Sequence, residues 1–110
     1  MEKELILSNM ESIPGHRITA HLGLVQGNTI RAKHIGRDIM AGLKNIVGGE
    51  IKGYTELLTE ARKEATERMV KQARECDADA IVNVRFATSS VMQGAAELFA
   101  YGTAVKLEKE

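Results

Sequence analysis

A chain of 110 residues fits a single domain, 1–110, with a modest core, and leaves no room for two. Hydrophobic residues at 44% and charged residues at 27% exclude a disordered chain. The 15 Lys and Arg balance 15 Asp and Glu, so no net field draws the chain to nucleic acid or to an anionic membrane.

Cys76 is the single cysteine, so no intrachain disulfide forms, and a reducing, cytoplasmic setting is expected. Met1–Leu7 has neither a long apolar run nor a small-residue cleavage site, which argues against a secretory signal. No stretch approaches the roughly 20 apolar residues of a membrane-spanning helix.

Leu5 to Ser8 reads as a short strand, and Ile13-Pro14-Gly15 as a turn in which Pro14 fixes φ and Gly15 is free to take positive φ. His16 to Gln26 alternates like a strand. Its even positions, Ile18, Ala20, Leu22 and Leu24 among them, form the more apolar face. After a turn or bulge at Gly27-Asn28, Thr29-Ile30-Arg31 extends the chain again. Ile35 to Val47 has helical spacing, with Ile35, Ile39, Met40, Leu43 and Ile46 on one side. Gly48-Gly49 ends it, and Glu50 to Gly53 connects onward. A longer helix runs from about Tyr54 to Cys76, with Leu57, Leu58, Ala61, Ala65, Met69, Ala73 and Cys76 as its apolar stripe. Asp77-Ala78-Asp79 breaks it. Ala80 to Thr88 is a strand, Thr88 to Gly94 a loop or wide turn, and Glu97 to Leu107 the last strand.

That order predicts an α+β domain, a mainly antiparallel sheet with two helices on one face. The other sheet face should then be polar. The last strand instead carries Phe99, Tyr101, Val105 and Leu107 on one side and Leu98, Ala100, Gly102 and Ala104 on the other. An uncovered apolar face marks a partner surface, and self-association is the default. The competing reading is that the N-terminal segment or the first helix folds across that face.

Candidate chemistry is sparse. Metal ligands are limited to His16, His21, His34 and Cys76, with Asp38, Asp77 and Asp79 as further oxygens. His16 and His21 lie five apart on one strand and so are expected on opposite faces. His34 and Asp38 could share one helical turn, but a structural zinc site takes four ligands. Asp77 and Asp79 begin like a calcium loop, yet Ile81 stands where a third oxygen ligand is needed. Cys76 closes an apolar stripe and reads as a buried small hydrophobe, inert as a nucleophile. Ser89 and Ser90 lack a nucleophile elbow. The carboxylates near bends, Glu50, Glu56 and Glu97, show no spacing that makes them converge. Gly48-Gly49-Glu50-Ile51-Lys52-Gly53 matches neither phosphate-loop pattern.

Five segments together resemble the YbjQ-like family: Ile35-Gly36-Arg37-Asp38-Ile39, Ile46-Val47-Gly48-Gly49-Glu50, Gly53-Tyr54-Thr55-Glu56-Leu57-Leu58, Ala61-Arg62, and Ala100-Tyr101-Gly102-Thr103-Ala104-Val105. The resemblance runs from about Pro14 to Lys106. It implies a dodecin-like β-α-β-β subunit in a pentameric ring built from sheets, and the family's "putative heavy-metal-binding" description implies a soft metal ion as cofactor. Of soft ligands this chain offers only Cys76. The matching polar positions Arg31, Asp38, Glu50, Tyr54, Glu56 and Tyr101 are the candidates for a shared pocket or for interface contacts, with His34, Asp38 and Cys76 as the metal candidates. The expectation is a small homo-oligomeric binding protein that partners itself, with no catalytic site. The alternatives are a heavy-metal binder with sites at subunit junctions and an enzyme acting on a small molecule at a subunit interface, with Glu50 or Tyr54 as acid or base.

Overall fold

The computed structural model describes residues 3–31, 52–92 and 95–110; at residue 31 and at 52–57, 90–92, 95 and 96 it describes the backbone alone. The helix expected over 35–47, the Gly48-Gly49 connector and the candidates His34, Asp38 and Glu50 lie outside the described residues. The described elements are β1 (Ile6–Leu7), β2 (His16–Arg31), α1 (Lys52–Glu75), β3 (Ala80–Met92) and β4 (Ala95–Lys109). The strands form one mixed sheet in the order β1-β3-β4-β2. β1 runs parallel to β3, and β4 is antiparallel to both β3 and β2. The α+β architecture is as expected, with one helix among the described residues.

α1 forms where small and unbranched apolar residues recur every fourth position. Ala61, Ala65, Met69 and Ala73 are all essentially buried, as the stripe predicts. The stripe stops there. The N–H of Ala78 donates to the Ala73 carbonyl at 3.1 Å, and the N–H of Asp77 to the Arg74 carbonyl at 3.0 Å. With Asp77 at φ 59° this is a Schellman ending, its left-handed position filled by Asp rather than Gly. Cys76 is therefore the last capping residue, turned off the stripe, and is exposed. The expectation of a buried Cys76 is corrected by that unwinding.

The face of β2 is also corrected. The sequence alternation puts even residues inside, yet Leu24 is 67% exposed while Val25 and Thr29 are each 2% exposed. Register shifts between Ile18 and Ala20 and between His21 and Gly23 each insert an extra residue, and the second undoes the first, so Leu24 shares the face of Ile18. That even face lies away from α1, which packs on the odd side at Val25 and Gly27. Gly23, at φ 110°, supplies the backbone for the second. The segment 88–94 is likewise not a loop as far as it is described. β3 continues to Met92 and β4 starts at Ala95, with Thr88 opposite Leu98 and Ser89 opposite Glu97. Threonine, serine and valine tolerate an exposed strand, and pairing with β4 satisfies their backbone groups.

α1 packs on the small-residue side of β4 and across β2. One core joins Val25, Ile81, Leu98, Ala100 and Ala104 to the helix alanines and Met69. The approach is closest at Gly27: a Cβ built there would lie 2.2 Å from the Ala65 carbonyl oxygen and 2.5 Å from the Met69 nitrogen. Two residues on, the Thr29 hydroxyl donates to the Ala61 carbonyl at 3.1 Å, which satisfies a buried polar group. On the opposite sheet face Ile13, Ala80, Val82 and Val105 form a second, smaller core, bordered by Ile18 and Leu107. The 16 residues of β2 span on the order of 50 Å at strand rise, in keeping with principal extents of 55 × 26 × 25 Å. The radius of gyration, 17.2 Å, exceeds the roughly 13 Å of a sphere-like domain of about this length.

Because the atoms facing Gly27 are backbone, a methyl group there can be accommodated only by lifting the helix. Gly27→Ala is expected to destabilise the protein by about 3 kcal/mol, read by chemical denaturation. Gly15→Ala, where a Cβ meets nothing within 4 Å but φ is 77°, should cost about 1 kcal/mol, the left-handed backbone term alone.

Candidate functional site

The sheet face away from α1 has two halves. The lower half is closed by the chain's own N-terminal segment. Ile13 seats on Ala80, Val82 and Val105, and the Arg85 guanidinium donates to the Asn9 carbonyl at 2.7 Å. One carboxylate fastens this strap. Asp79 Oδ2 accepts the backbone N–H of Leu107 at 2.7 Å, its Oδ1 pairs with the Lys3 ammonium, and Lys106 lies 4.0 Å away. The Leu107 N–H first and the Lys3 ammonium second hold the Asp79 carboxyl below its usual range, and the same hydrogen bond raises the Lys3 ammonium.

The upper half is not closed among the described residues. Register places Leu24, Gln26, Asn28 and Ile30 of β2 beside Glu97, Phe99 and Tyr101 of β4 on this face. Phe99 and Tyr101 pack together with ring centroids 5.6 Å apart at 41°. Leu24 is 67% and Ile30 54% exposed. Asn28 Nδ2 donates to Glu97 Oε2 at 2.9 Å, a polar pair at the end of the apolar strip. This is an exposed surface of aromatic and aliphatic area with a few hydrogen-bonding groups at its end.

Of the residues singled out in the sequence, Tyr101 stands in this patch, half-buried against Phe99. Arg31 ends β2 at its upper limit, opposite Ala96. Tyr54 and Glu56 lie in the first turns of α1. His16 and His21 are not on opposite faces: paired with Lys109 and Val105, and with a register shift between them, they share the face away from α1. Their partners are four residues apart on β4, about 13 Å, so chelation by the two fails on distance. No group of three or more His, Cys, Asp or Glu that could hold a metal ion occurs among the described residues. Leu24 and Ile30 were missed as patch residues because the more apolar, even face of β2 reads as the core face, whereas α1 packs on the odd side. Gly27, a glycine inside the strand on that odd side, was the available sign of a close backbone approach. Among the described residues no helix is long and apolar enough to cross a membrane.

An α+β domain with one sheet face packed by its helix and, among the described residues, half of the other face uncovered is the class the geometry defines. The chain belongs to the YbjQ-like family: the family model, described as "Putative heavy-metal-binding", matches residues 5–108. It is similar to the UPF0145 protein of Hahella chejuensis, 68% identical over 94% of this chain and 100% of that one. The UPF0145 proteins of Archaeoglobus fulgidus and Thermotoga maritima are 62% and 55% identical, over 97% and 96% of this chain and 99% of each relative. Among solved structures, a DUF74-family protein of unknown function from Pediococcus pentosaceus matches with a TM-score of 0.64 at 14% identity, covering 94% of this chain and 98% of that one. That likeness supports the fold.

The Asp79 clamp has a defined pH signature. Its folded pKa is lowered from the model-compound value of 3.8, so its contribution is fully present above that value and is lost as pH falls through the lower folded pKa. Asp79→Ala should cost about 1–2 kcal/mol at pH 7, and the difference from wild type should shrink as pH falls below about 4, followed by denaturation between pH 7 and 2.

Proposed function

We propose that this chain works as a homo-oligomeric binding protein, without catalysis of its own, whose subunits join through the bare upper half of the sheet face. The observation that carries the reading is the exposure of Leu24 and Ile30 beside the Phe99–Tyr101 pair. A soluble chain rarely leaves such a strip to water. The elongated outline supports the same reading, since the long strands offer area that no described residue folds back upon. A pentameric ring of sheets, as the family resemblance implies, is the assembly proposed, with the cytoplasm as its compartment, in line with a lone, exposed thiol.

The family description favours a second reading, a heavy-metal site completed at subunit junctions. Cys76 is the soft ligand and is exposed, available to ligands from another copy. Metal retained through purification and lost on Cys76→Ser would favour this reading; metal-free protein whose stability is unchanged by added metal would count against it.

Light scattering at micromolar concentration tests the main proposal. Wild type should have the mass of several subunits. Leu24→Lys, which alters a side chain already exposed in the single chain, should lower that mass at unchanged far-ultraviolet dichroism. A wild-type monomer would refute the proposal.

A further inference from the structure

β3 changes face once along its length. Ala80 and Val82 belong to the smaller core on the face away from α1. Val84 packs against the α1 core instead. Above it Arg85, Ala87 and Ser89 stand opposite Tyr101, Phe99 and Glu97, on the face away from α1. Between Val82 and Arg85 the strand advances three residues while β4 advances two, from Thr103 to Tyr101. The extra residue is a bulge at Asn83, whose φ of 55° is left-handed. Asparagine tolerates that backbone better than most residues with a side chain, yet it persists only where the surroundings hold it.

Two elements hold it. β4 supplies Gly102, where a Cβ would lie 2.6 Å from Ile81 Cγ2 and 3.0 Å from the Val82 carbonyl oxygen. The N-terminal strap supplies the rest. The successive N–H groups of Asn83 and Val84 both point away from β4 and donate to the carbonyls of Met10 and Ser8, each at 2.9 Å. The Asn9 carbonyl between them accepts the Arg85 guanidinium at 2.7 Å. Three successive strap carbonyls thus grip three successive residues of β3. The Ser8 N–H donates back to the Ile81 carbonyl at 2.9 Å.

We propose that the strap is the register lock of β3: seated, it keeps the bulge, and when it lifts, the residues above Asn83 slip by one against β4. Without the strap, the Asn83 and Val84 N–H groups lose their partners and the left-handed Asn83 loses its support. An unbulged ladder removes that strain and returns the Val84 N–H to β4. It sets Val84 opposite Tyr101, Phe86 opposite Phe99 and Thr88 opposite Glu97. Valine and phenylalanine then replace Arg85 and Ala87 beside the aromatic pair, a favourable combination across strands. The displaced residue is taken up at the top of β3, where pairing is already irregular between Ser90 and Met92. A one-residue slip exchanges every side chain above the bulge between the faces. The strap therefore sets what stands beside Phe99 and Tyr101. Seated, it presents Arg85, Ala87 and Ser89; lifted, it presents Val84, Phe86 and Thr88. The lock acts within one chain and does not depend on the subunit contact proposed above.

Intrachain disulfide trapping in the full chain tests the lock. In a Cys76→Ser background, Ser89→Cys with Glu97→Cys reports the bulged register and Thr88→Cys with Glu97→Cys the slipped one, because only side chains on one face and opposite each other can be bridged. Bridges within a chain run as monomers on a denaturing, non-reducing gel. With the strap intact, only the 89–97 bridge should form. Ser8→Pro removes the Ser8 N–H and should lift the strap, read as oxidation of the otherwise buried Ile13 by hydroxyl radicals. The 88–97 bridge should then replace the 89–97 bridge, and adding Asn83→Gly, which favours the left-handed backbone, should restore the latter. Asn83→Val reaches the slip from the other side: a β-branched residue opposes the bulge, so the 88–97 bridge should form and Ile13 should be oxidised with Ser8 in place. An 88–97 bridge in the otherwise unaltered chain, an oxidised Ile13 in Ser8→Pro with the 89–97 bridge retained, or an Asn83→Val protein that keeps the 89–97 bridge would overturn the lock. A change in oligomer mass bears on the sheet-face contact alone.

Discussion

The contact between the backbone of α1 and Gly27 of β2 sets most of the remaining structure. A helix can lie that close to a strand only where side chains are absent or small, and the positions around the contact are Gly27, Ala61, Ala65 and Ala100. Close seating brings Met69 into full burial and lets the Thr29 hydroxyl reach a helix carbonyl. It also decides which side of β4 the helix takes. Leu98, Ala100, Gly102 and Ala104 fit beneath a close helix; Phe99 and Tyr101 would hold it away. The aromatic side of β4 is therefore the side that α1 does not cover.

The covering is divided. The N-terminal strap, held by Asp79, closes the lower half over Val82 and Val105. It reaches as far as the Arg85–Asn9 contact, and above that level the sheet face is bare among the described residues. One short strap thus bounds the surface proposed here for subunit contact. Burying it on association would recover apolar area at roughly 25 cal/mol per Å², a gain the isolated chain leaves unrealised.

Much of this was legible in the sequence, and the losses have identifiable causes. The helix stripe from Ala61 to Ala73 and the two-sided strand from Leu98 to Leu107 follow from periodicity, because burial alone sets those patterns. The β2 faces were misread because the more apolar even side was taken as the core side, whereas α1 seats on the odd side, where Gly27 lets the backbones approach. Cys76 was misread because a Schellman ending needs a left-handed residue, and here Asp77 fills a place where glycine is the usual signal. The strand through Thr88–Met92 was read as a loop because polar residues resemble turns until a partner strand is known. The family candidates Arg31, Tyr54, Glu56 and Tyr101 do not converge in the described structure into one catalytic group. Tyr101 is the one that stands in the exposed patch.

The central claim is that seating α1 on the small-residue side of the sheet leaves the aromatic side for another subunit. Hydroxyl-radical footprinting of the native protein at micromolar concentration reads this residue by residue. The account predicts that Leu24 and Ile30, 67% and 54% exposed in the single chain, are protected from oxidation along with Tyr101, while Met10, 59% exposed on the strap, reacts freely. Oxidation of Leu24 and Ile30 at the rates of freely exposed side chains would contradict it.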